Sequence, residues 1–560
     1  MRTLSRQPSK SARRSFGCLA WTSWLIAAGA LALAILPLVP PRSVLDPTSE
    51  TFSVENALEQ IEQIAIEPRP MGSEGNRRGR EAIAAELRAL GLDPQFQTLR
   101  VPNYYSRAAE PVEVANVLAR ISGTDSTGAV ALMGHHDTFP TTPGANDDTS
   151  ALAIMLECAR AILAGPPLRN DVVLIFTDAE EPAPRYGSTA FAEEHPWFDD
   201  IEFVINLEAI GREGISVPVA ISGSSRWIVG DLARKAPYPT AFSFITAITE
   251  LIGGSNTDFS VFRDAGIPGM DIAYLAGSSI YHTLADNTEN VGVRSLHQQG
   301  ANTLAMTRHL GNLDLTLAED RGESVFFTIG RFVLVRYPNW LALPLALLAA
   351  VVWLVVAVRQ RKPLATLKGA GATLAIVALS MVLAAGIWTL VGRWRSAMGI
   401  AEGYVYLILL ALVAAGIGWC VVRLFRRQPG SDQDTVGVLV LWPALAILTA
   451  VAAPGMSYLF TWPALVGGCL LLWPRERIQS QGLRLARFTL IAFVTLPLLI
   501  PAIDFLFQFA NPRPGNPDSQ VLAMIAVPVL LLSLTIELFR AFWPRVSVDK
   551  EEAPAGAGAS

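Results

Sequence analysis

Apolar positions along this chain fall into two regimes. From about residue 44 to 323, short apolar runs alternate with amphipathic stretches; from 338 to 543, long apolar runs are separated by short basic loops. In the first regime, helical spacing predicts helices at 52–64, 80–90 (closed by Gly91), 149–164, 188–194, 225–234 and 294–312. Apolar runs predict strands at 96–101, 115–121, 129–134, 172–177, 203–207 and 269–275. Nearly continuous apolar strands alternating with helices imply an α/β fold, a three-layer sandwich with a largely parallel central sheet.

The second regime predicts an all-α membrane region of about seven helices, at 338–358, 370–392, 404–424, 436–453, 456–473, 488–503 and 521–538. Each run is near the ~20 residues that cross a bilayer. Another such run, 16–39, follows a basic stretch holding Arg2, Arg6, Lys10, Arg13 and Arg14. It reads as an uncleaved signal anchor, with a cleavable signal peptide as the alternative. Cations cluster in alternate loops (Arg359, Arg361, Lys362 and Lys368; Arg423, Arg426 and Arg427; Arg475, Arg477, Arg484 and Arg487; Arg540 and Arg545), with Arg393 and Arg395 as the exception. By the positive-inside rule this gives eight crossings, a cytoplasmic basic N-terminus (1–15), a cytoplasmic disordered tail (544–560) and an extracytoplasmic domain at 44–323.

Composition supports the split. The 560 residues are 51% hydrophobic and 17% charged, too apolar for a purely soluble protein. A net charge of −5 without a long basic patch argues against a nucleic-acid partner. Of Cys18, Cys158, Cys420 and Cys469, only Cys158 lies in the globular part, which excludes both a disulfide framework and a cysteine zinc site there.

Chemistry gathers where apolar runs end, and α/β sheets bind ligands beyond the carboxyl ends of their strands. ALMGHHDTFPTTPGANDD (131–148) carries His135, His136, Asp137, Asp147 and Asp148; FTDAEEP (176–182) carries Glu180 and Glu181; NLEAIG (206–211) carries Glu208; Tyr281-His282-Thr283 adds an imidazole. Imidazole and carboxylate oxygens suit zinc. Two zinc ions need a carboxylate between them and separate ligands on each side. Asp147 or Asp148 can bridge, His135 and His282 can each serve one metal, and Glu181 and Glu208 can complete the pair. Glu180 is then left over as a carboxylate available for general base work. His136 points to the other side of the strand end and reads as structural. His195, His297 and His309 show no carboxylate partner pattern. Tyr281 could aid an oxyanion or pack, and Asp258 and Asp286 could support ligands or cap helices.

The order H-x-D, GA-[DN]-D-D, D-x-E-E, N-[LF]-[DE], Y-H-T across residues 115–308 resembles the M28 family of zinc peptidases. NLEAIG, SNTDFSVFRDAGIPGMDIAYL and IYHTLAD resemble its membrane-bound branch, which includes the fungal vacuolar membrane protease and the endoplasmic reticulum metallopeptidase. The resemblance implies two zinc ions, one on His135 and Glu208, the other on Glu181 and His282, with Asp147 bridging. It further implies Glu180 as general base, Asp137 orienting His135, a cis Asp147–Asp148 peptide and peptide substrates, with aminopeptidase action. PAPRYGS after Glu181 departs from the commoner family wording, and Glu208 stands where many soluble relatives carry Asp.

Three rival readings follow: a catalytically silent membrane scaffold, a glutaminyl cyclase-like acyltransferase on the same fold, and a transporter built on the spans. The full ligand set argues against the first and nearly charge-free span centres against the last. The short basic N-terminus and the lack of N-x-[ST] in the exported domain favour a bacterial inner membrane with a periplasmic domain, over a vacuolar or endoplasmic reticulum membrane.

Overall fold

The structure is a computed structural model that describes residues 10–42, 48–105, 110–181, 184–317, 322–331, 333–360, 363–391, 400–424, 432–473, 480–509 and 518–543. The N-terminal cations up to residue 9, many of the loop cations that carry the orientation reading (Arg361, Lys362, Arg393, Arg395, Arg426, Arg427, Arg475, Arg477) and the tail 544–560 lie outside the described residues.

After α1 (Lys10–Ile35), the chain builds α2 (Val54–Ile64), α3 (Glu74–Ala89), β1 (Gln95–Val101), β2 (Val112–Ile121), β3 (Ala129–His135), α4 (Thr149–Ala164), β4 (Asp171–Thr177), α5 (Tyr186–Glu194), β5 (Ile201–Ala209), β6 (Val217–Ser222), α6 (Ser225–Lys235), α7 (Ser243–Leu251), α8 (Phe259–Asp264), β7 (Gly269–Tyr274) and α9 (Val293–Leu310). Strands β1 to β7 form one sheet in the order β1-β2-β4-β3-β5-β7-β6. The central four, β4, β3, β5 and β7, run parallel, and the outer strands pair antiparallel.

Strand alternation divides the core between two faces. Val130, Leu132, Val172 and Leu174 pack with residues of α2, α3, α4, α6 and α9. Ala129, Ala131, Met133, Val173 and Ile175 pack with Phe191 of α5 and Phe259 and Phe262 of α8. Both faces are covered, so β3 and β4 are buried at every position, which is why they read as unbroken apolar runs. Helices α2 and α3 start where the Oγ of Ser53 and of Ser73 accepts the backbone N–H of Asn56 (3.2 Å) and Asn76 (3.0 Å).

Elements absent from the sequence reading are β6, α7, α8 and a hairpin of β8 (Ser324–Ile329) and β9 (Val333–Pro338). Pro218 hides β6: the strand lies at the sheet edge and its register shifts between Pro218 and Ala220, the two places where a strand tolerates proline. The hairpin lies beyond residue 323 yet packs on the domain, the Phe326 N–H donating to Ser243 Oγ at 3.0 Å.

The membrane region comprises α10 (Ala342–Gln360), α11 (Pro363–Val391), α12 (Ile400–Leu424), α13 (Asp432–Leu439), α14 (Leu441–Ala452), α15 (Tyr458–Leu471), α16 (Gln481–Phe509) and α17 (Asp518–Phe542). Each expected span overlaps one or more of these helices, but the count of eight crossings is corrected. Among the described residues, four helical stretches are long and apolar enough to cross a membrane: Trp21–Leu38, Asn339–Gln360, Thr366–Ile387 and Gln481–Phe509. Ile408–Cys420, Val436–Ala452 and Tyr458–Leu471 are apolar but shorter. Helices α14 and α15 meet in a tight turn through Pro454–Met456 after about three turns of helix.

The domain and the helices share one apolar core. Phe242, Phe244, Leu275, Val325 and Phe327 belong to the same buried cluster as Tyr458, Ile503 and Leu506. The rings of Phe327 and Tyr458 stack with centroids 4.5 Å apart, Phe244 meets Phe505 edge-on at 5.6 Å, and Ser243 Oγ donates to the Gly455 carbonyl at 2.7 Å.

Candidate metal centre

Five ligand candidates and the further carboxylate of Glu180 converge at the carboxyl ends of the parallel strands. His135 is the last residue of β3, Glu180 and Glu181 follow β4, Glu208 lies near the end of β5, His282 follows β7, and Asp147 precedes α4. Gly134 makes this close packing possible: a Cβ there would lie 2.9 Å from both the Ala151 Cβ and an Asp148 carboxylate oxygen. The Asp147–Asp148 peptide is cis.

Asp147 faces both sides of the site. Its Oδ1 lies 3.4 Å from His135 Nε2, which is 4.0 Å from Glu208 Oε2. Its Oδ2 lies 3.2 Å from His282 Nε2, which is 2.7 Å from Glu181 Oε1. Ligand atoms of His135, Asp147 and Glu208 form one compact group and those of Asp147, Glu181 and His282 another; His135, Glu180 and Glu181 form a third. Asp147 Oδ2 is buried without a hydrogen-bond partner. A buried, unsatisfied carboxylate oxygen beside two imidazoles and two further carboxylates fits a divalent cation such as zinc.

Asp137 does more than the sequence reading gave it. Its Oδ1 accepts the backbone N–H of Glu180 and its Oδ2 that of Glu181, each at 3.0 Å. Its carbonyl oxygen lies 3.0 Å from His135 Nδ1, and its carboxylate is 3.6 Å from the same nitrogen. One residue thus holds the β3 imidazole and the loop bearing both glutamates. That loop enters through Ala179 at φ +60°, and His282 itself sits at φ +58°. Such left-handed conformations are costly for residues with a Cβ and cluster at functional sites.

Burial dominates the electrostatics. It pushes Glu180 well above the ordinary carboxylate range, helped by the charges of Glu181 and Glu208 against the opposing pull of His135. Glu208 and Asp148 are raised for the same first reason. Burial also disfavours the charged forms of His135 and His282, yet facing carboxylates outweigh it; His135 is raised, and His282 is pushed up to about 9. Asp147 goes the other way, lowered by its two imidazoles in spite of burial.

Supporting residues surround the ligands. Asn206 donates to Glu208 Oε1 at 3.2 Å and to Asp271 at 2.9 Å. Asp286 accepts the Asn146 N–H at 2.8 Å and the Asp147 N–H at 3.1 Å, so it fixes the bridging loop. Asp258 accepts from Thr177 and Ser188 behind Glu180. The Tyr281 ring stacks on His282 at 3.7 Å, and Phe139 covers the imidazole's other neighbourhood at 4.6 Å. His136 is structural, with Nε2 3.0 Å from the Ala115 carbonyl. His195, His297 and His309 stand apart from the site, but the reading of no carboxylate partner is corrected at His309, whose Nε2 lies 3.0 Å from Asp231.

Arg69 was missed. It is 0% exposed and reaches the carbonyls of His136 (2.8 Å), Pro143 (2.8 Å) and Ile64 (3.2 Å) and Thr149 Oγ1 (2.6 Å). Only its place between two prolines, where a side chain is held on rigid backbone, hinted at a buried role.

Residues 116–307 match the profile of Peptidase family M28. The chain is similar to endoplasmic reticulum metallopeptidase 1 of Mus musculus, 31% identical over 352 residues, covering 57% of this chain and 38% of the mouse protein. It is likewise similar to the vacuolar membrane protease of Candida dubliniensis, 29% identical over 281 residues, covering 49% of this chain and 29% of the yeast protein. The chain thus spans well under half the length of either of these relatives. Among solved structures it is similar to the Fimbriiglobus ruber glutaminyl cyclase (19% identity, 48% of this chain, 98% of that chain, TM-score 0.40) and to BSAP, a zinc aminopeptidase from Bacillus subtilis (16%, 49%, 99%, TM-score 0.39).

Proposed function

From a chain that carries a domain of peptidase family M28, with homologues among the endoplasmic reticulum and vacuolar membrane peptidases, we propose a membrane-anchored dinuclear zinc exopeptidase that removes amino-terminal residues from peptides. The observation that carries this reading is the division of the Asp147 carboxylate, one oxygen toward His135 and Glu208, the other toward His282 and Glu181. His135 and Glu208 would hold one zinc, Glu181 and His282 the other, with Asp147 shared. Zinc supplies Lewis acidity there, polarising the scissile carbonyl and acidifying water.

Glu180 does the proton work. It is 7% exposed, carries no ligand duty in this assignment, and lies within the compact group formed with His135 and Glu181. A buried carboxylate beside the ligand groups suits a base that takes a proton from the attacking water and gives it to the leaving amine. Asp137 sets the direction of Glu180 through the backbone N–H it accepts. The aromatic wall of Phe139, Tyr281 and Tyr105, whose hydroxyl donates to the Glu181 carbonyl at 3.2 Å, shields the His282 side from bulk water. The preference for aminopeptidase action, and an extracytoplasmic domain in a bacterial inner membrane, are part of the same proposal.

The test is made on the full chain in detergent or nanodiscs, wild type beside Glu180→Gln. Zinc is counted by mass spectrometry, and amino acids released from unblocked peptides are followed. About two zinc ions per chain in both proteins, with hydrolysis reduced on the order of 10²–10⁴-fold in the variant, is expected. One zinc with cyclisation of amino-terminal glutamine would favour the acyltransferase reading, and a metal-free, inactive folded protein the scaffold.

A further inference from the structure

The two halves of the site are supported differently. His135 and Glu208 belong to strands of the sheet core, whereas His282 lies in a loop after β7 at φ +58°. A left-handed residue persists only when its surroundings over-determine it. On one side the loop is tied by Asp286, which accepts from Asn146 and Asp147, and by Thr141 Oγ1, which donates to the His282 carbonyl at 3.0 Å. On the other side it rests on the membrane region. Ser278 is fully buried, and its Oγ donates to the Gln508 carbonyl at 3.4 Å.

Gln508 is the penultimate residue of α16. Ser278 thus ties the segment before His282 directly to the backbone of α16. The anchoring continues upstream: Ala273 and Leu275, at and just past the end of β7, are buried in the same apolar cluster as Ala502, Ile503 and Leu506 of α16. From Ser278 to His282 is four residues, at most roughly 14 Å of chain. That segment contains the turn Ser278–Ile280 and Tyr281, whose ring stacks on His282.

We propose that α16, at Gln508, is a positioning element of the site: through Ser278 it holds His282 in place, so that the membrane helices govern occupancy of the Glu181–His282 metal position and leave the His135–Glu208 position alone. This rests on the dinuclear reading above and gives the membrane half a part in the chemistry.

The experiment uses the full chain in nanodiscs and compares wild type with Ser278→Ala, Leu506→Ala and Phe327→Ala. The last disturbs the domain–membrane contact at Tyr458, away from the His282 loop. Metal content is followed during chelator titration, and the visible spectrum of cobalt-substituted protein reports each site's geometry. In Ser278→Ala and Leu506→Ala, one metal is expected to leave at a chelator concentration about tenfold lower than in wild type, as for other residues that orient a ligand from behind. The second metal should persist, and Phe327→Ala should titrate like wild type. Should Leu506→Ala fail to insert, Ser278→Ala, which removes one hydroxyl, decides alone. Retention of both metals with wild-type sensitivity in Ser278→Ala would overturn the inference, as would equal loss in Phe327→Ala. Wild type with a single metal, or none, would overturn the dinuclear reading and this inference with it.

Discussion

His282 Nε2 lies 2.7 Å from Glu181 Oε1, across 101 residues of sequence. Neither residue is on a strand, so this half of the site is assembled by two loops. Replacing His282 by alanine should therefore remove one metal and spare the other, taking zinc from about two to about one per chain. Asp147→Ala should lower both, because each of its oxygens serves a different pair. Mass-spectrometric metal counts on the two variants check this, and equal losses would contradict the division.

Metal and pH should act together on stability. Glu180, Glu208 and Asp148 are raised by burial, and His282 stands at about 9. A group raised in the folded state contributes stability that is complete below its unfolded value and is lost as pH rises through its folded value. For Glu the loss starts above 4.5, and for His282 it runs from 6.5 to about 9. Asp147 is lowered and has the opposite sign, but only below 3.8. The melting temperature of chelator-treated protein should thus fall from about pH 5 to about pH 9. Zinc needs the deprotonated ligands, so the rise in melting temperature on adding it should grow over the same interval. Calorimetry at several pH values, with and without zinc, reads both trends; a zinc effect independent of pH would contradict them.

Arg69 should matter for folding rather than chemistry. Burial lowers its guanidinium only to about 10, so it is charged at neutral pH, and it ties four segments that frame the metal loops. Arg69→Met leaves three buried carbonyls and Thr149 short of a donor and removes the cation facing Asp137, Asp147 and Asp286. A loss of about 3–5 kcal/mol is expected, measured by denaturant unfolding of the detergent-solubilised chain.

Gly134→Ala tests the close approach of β3 to α4. The added methyl would meet the Ala151 Cβ and an Asp148 carboxylate oxygen at 2.9 Å, and neither is the free end of a long side chain. A cost of about 1–3 kcal/mol, with weakened zinc retention through the displaced His135, is the expected outcome. Unchanged melting and metal content would show that β3 can shift without loss.

Much of this was legible in sequence because it is local. Buried parallel strands must be apolar on both faces, so β3, β4 and β5 stood out, and the polar residues at their ends fell by topology on one side of the sheet. His135, Glu180, Glu181 and Glu208 follow from that rule. Edge strand β6 escaped it because Pro218 breaks the pattern, and the β8–β9 hairpin because it lies between an amphipathic region and an apolar one.

Other features arose only in three dimensions. Which oxygen of Asp147 meets which imidazole, and that the Asp137 carboxylate is spent on two backbone N–H groups, depend on loop geometry that leaves no periodic trace. The role of Arg69 comes from the carbonyls that close around it in the fold. The seating of the His282 loop on α16 joins residues 230 apart. The chain by itself determined which side chains gather at the ends of the buried strands, since burial periodicity is written residue by residue. Packing alone decided how they face one another, since a hydrogen bond between distant segments depends on every strand and helix that brings them together.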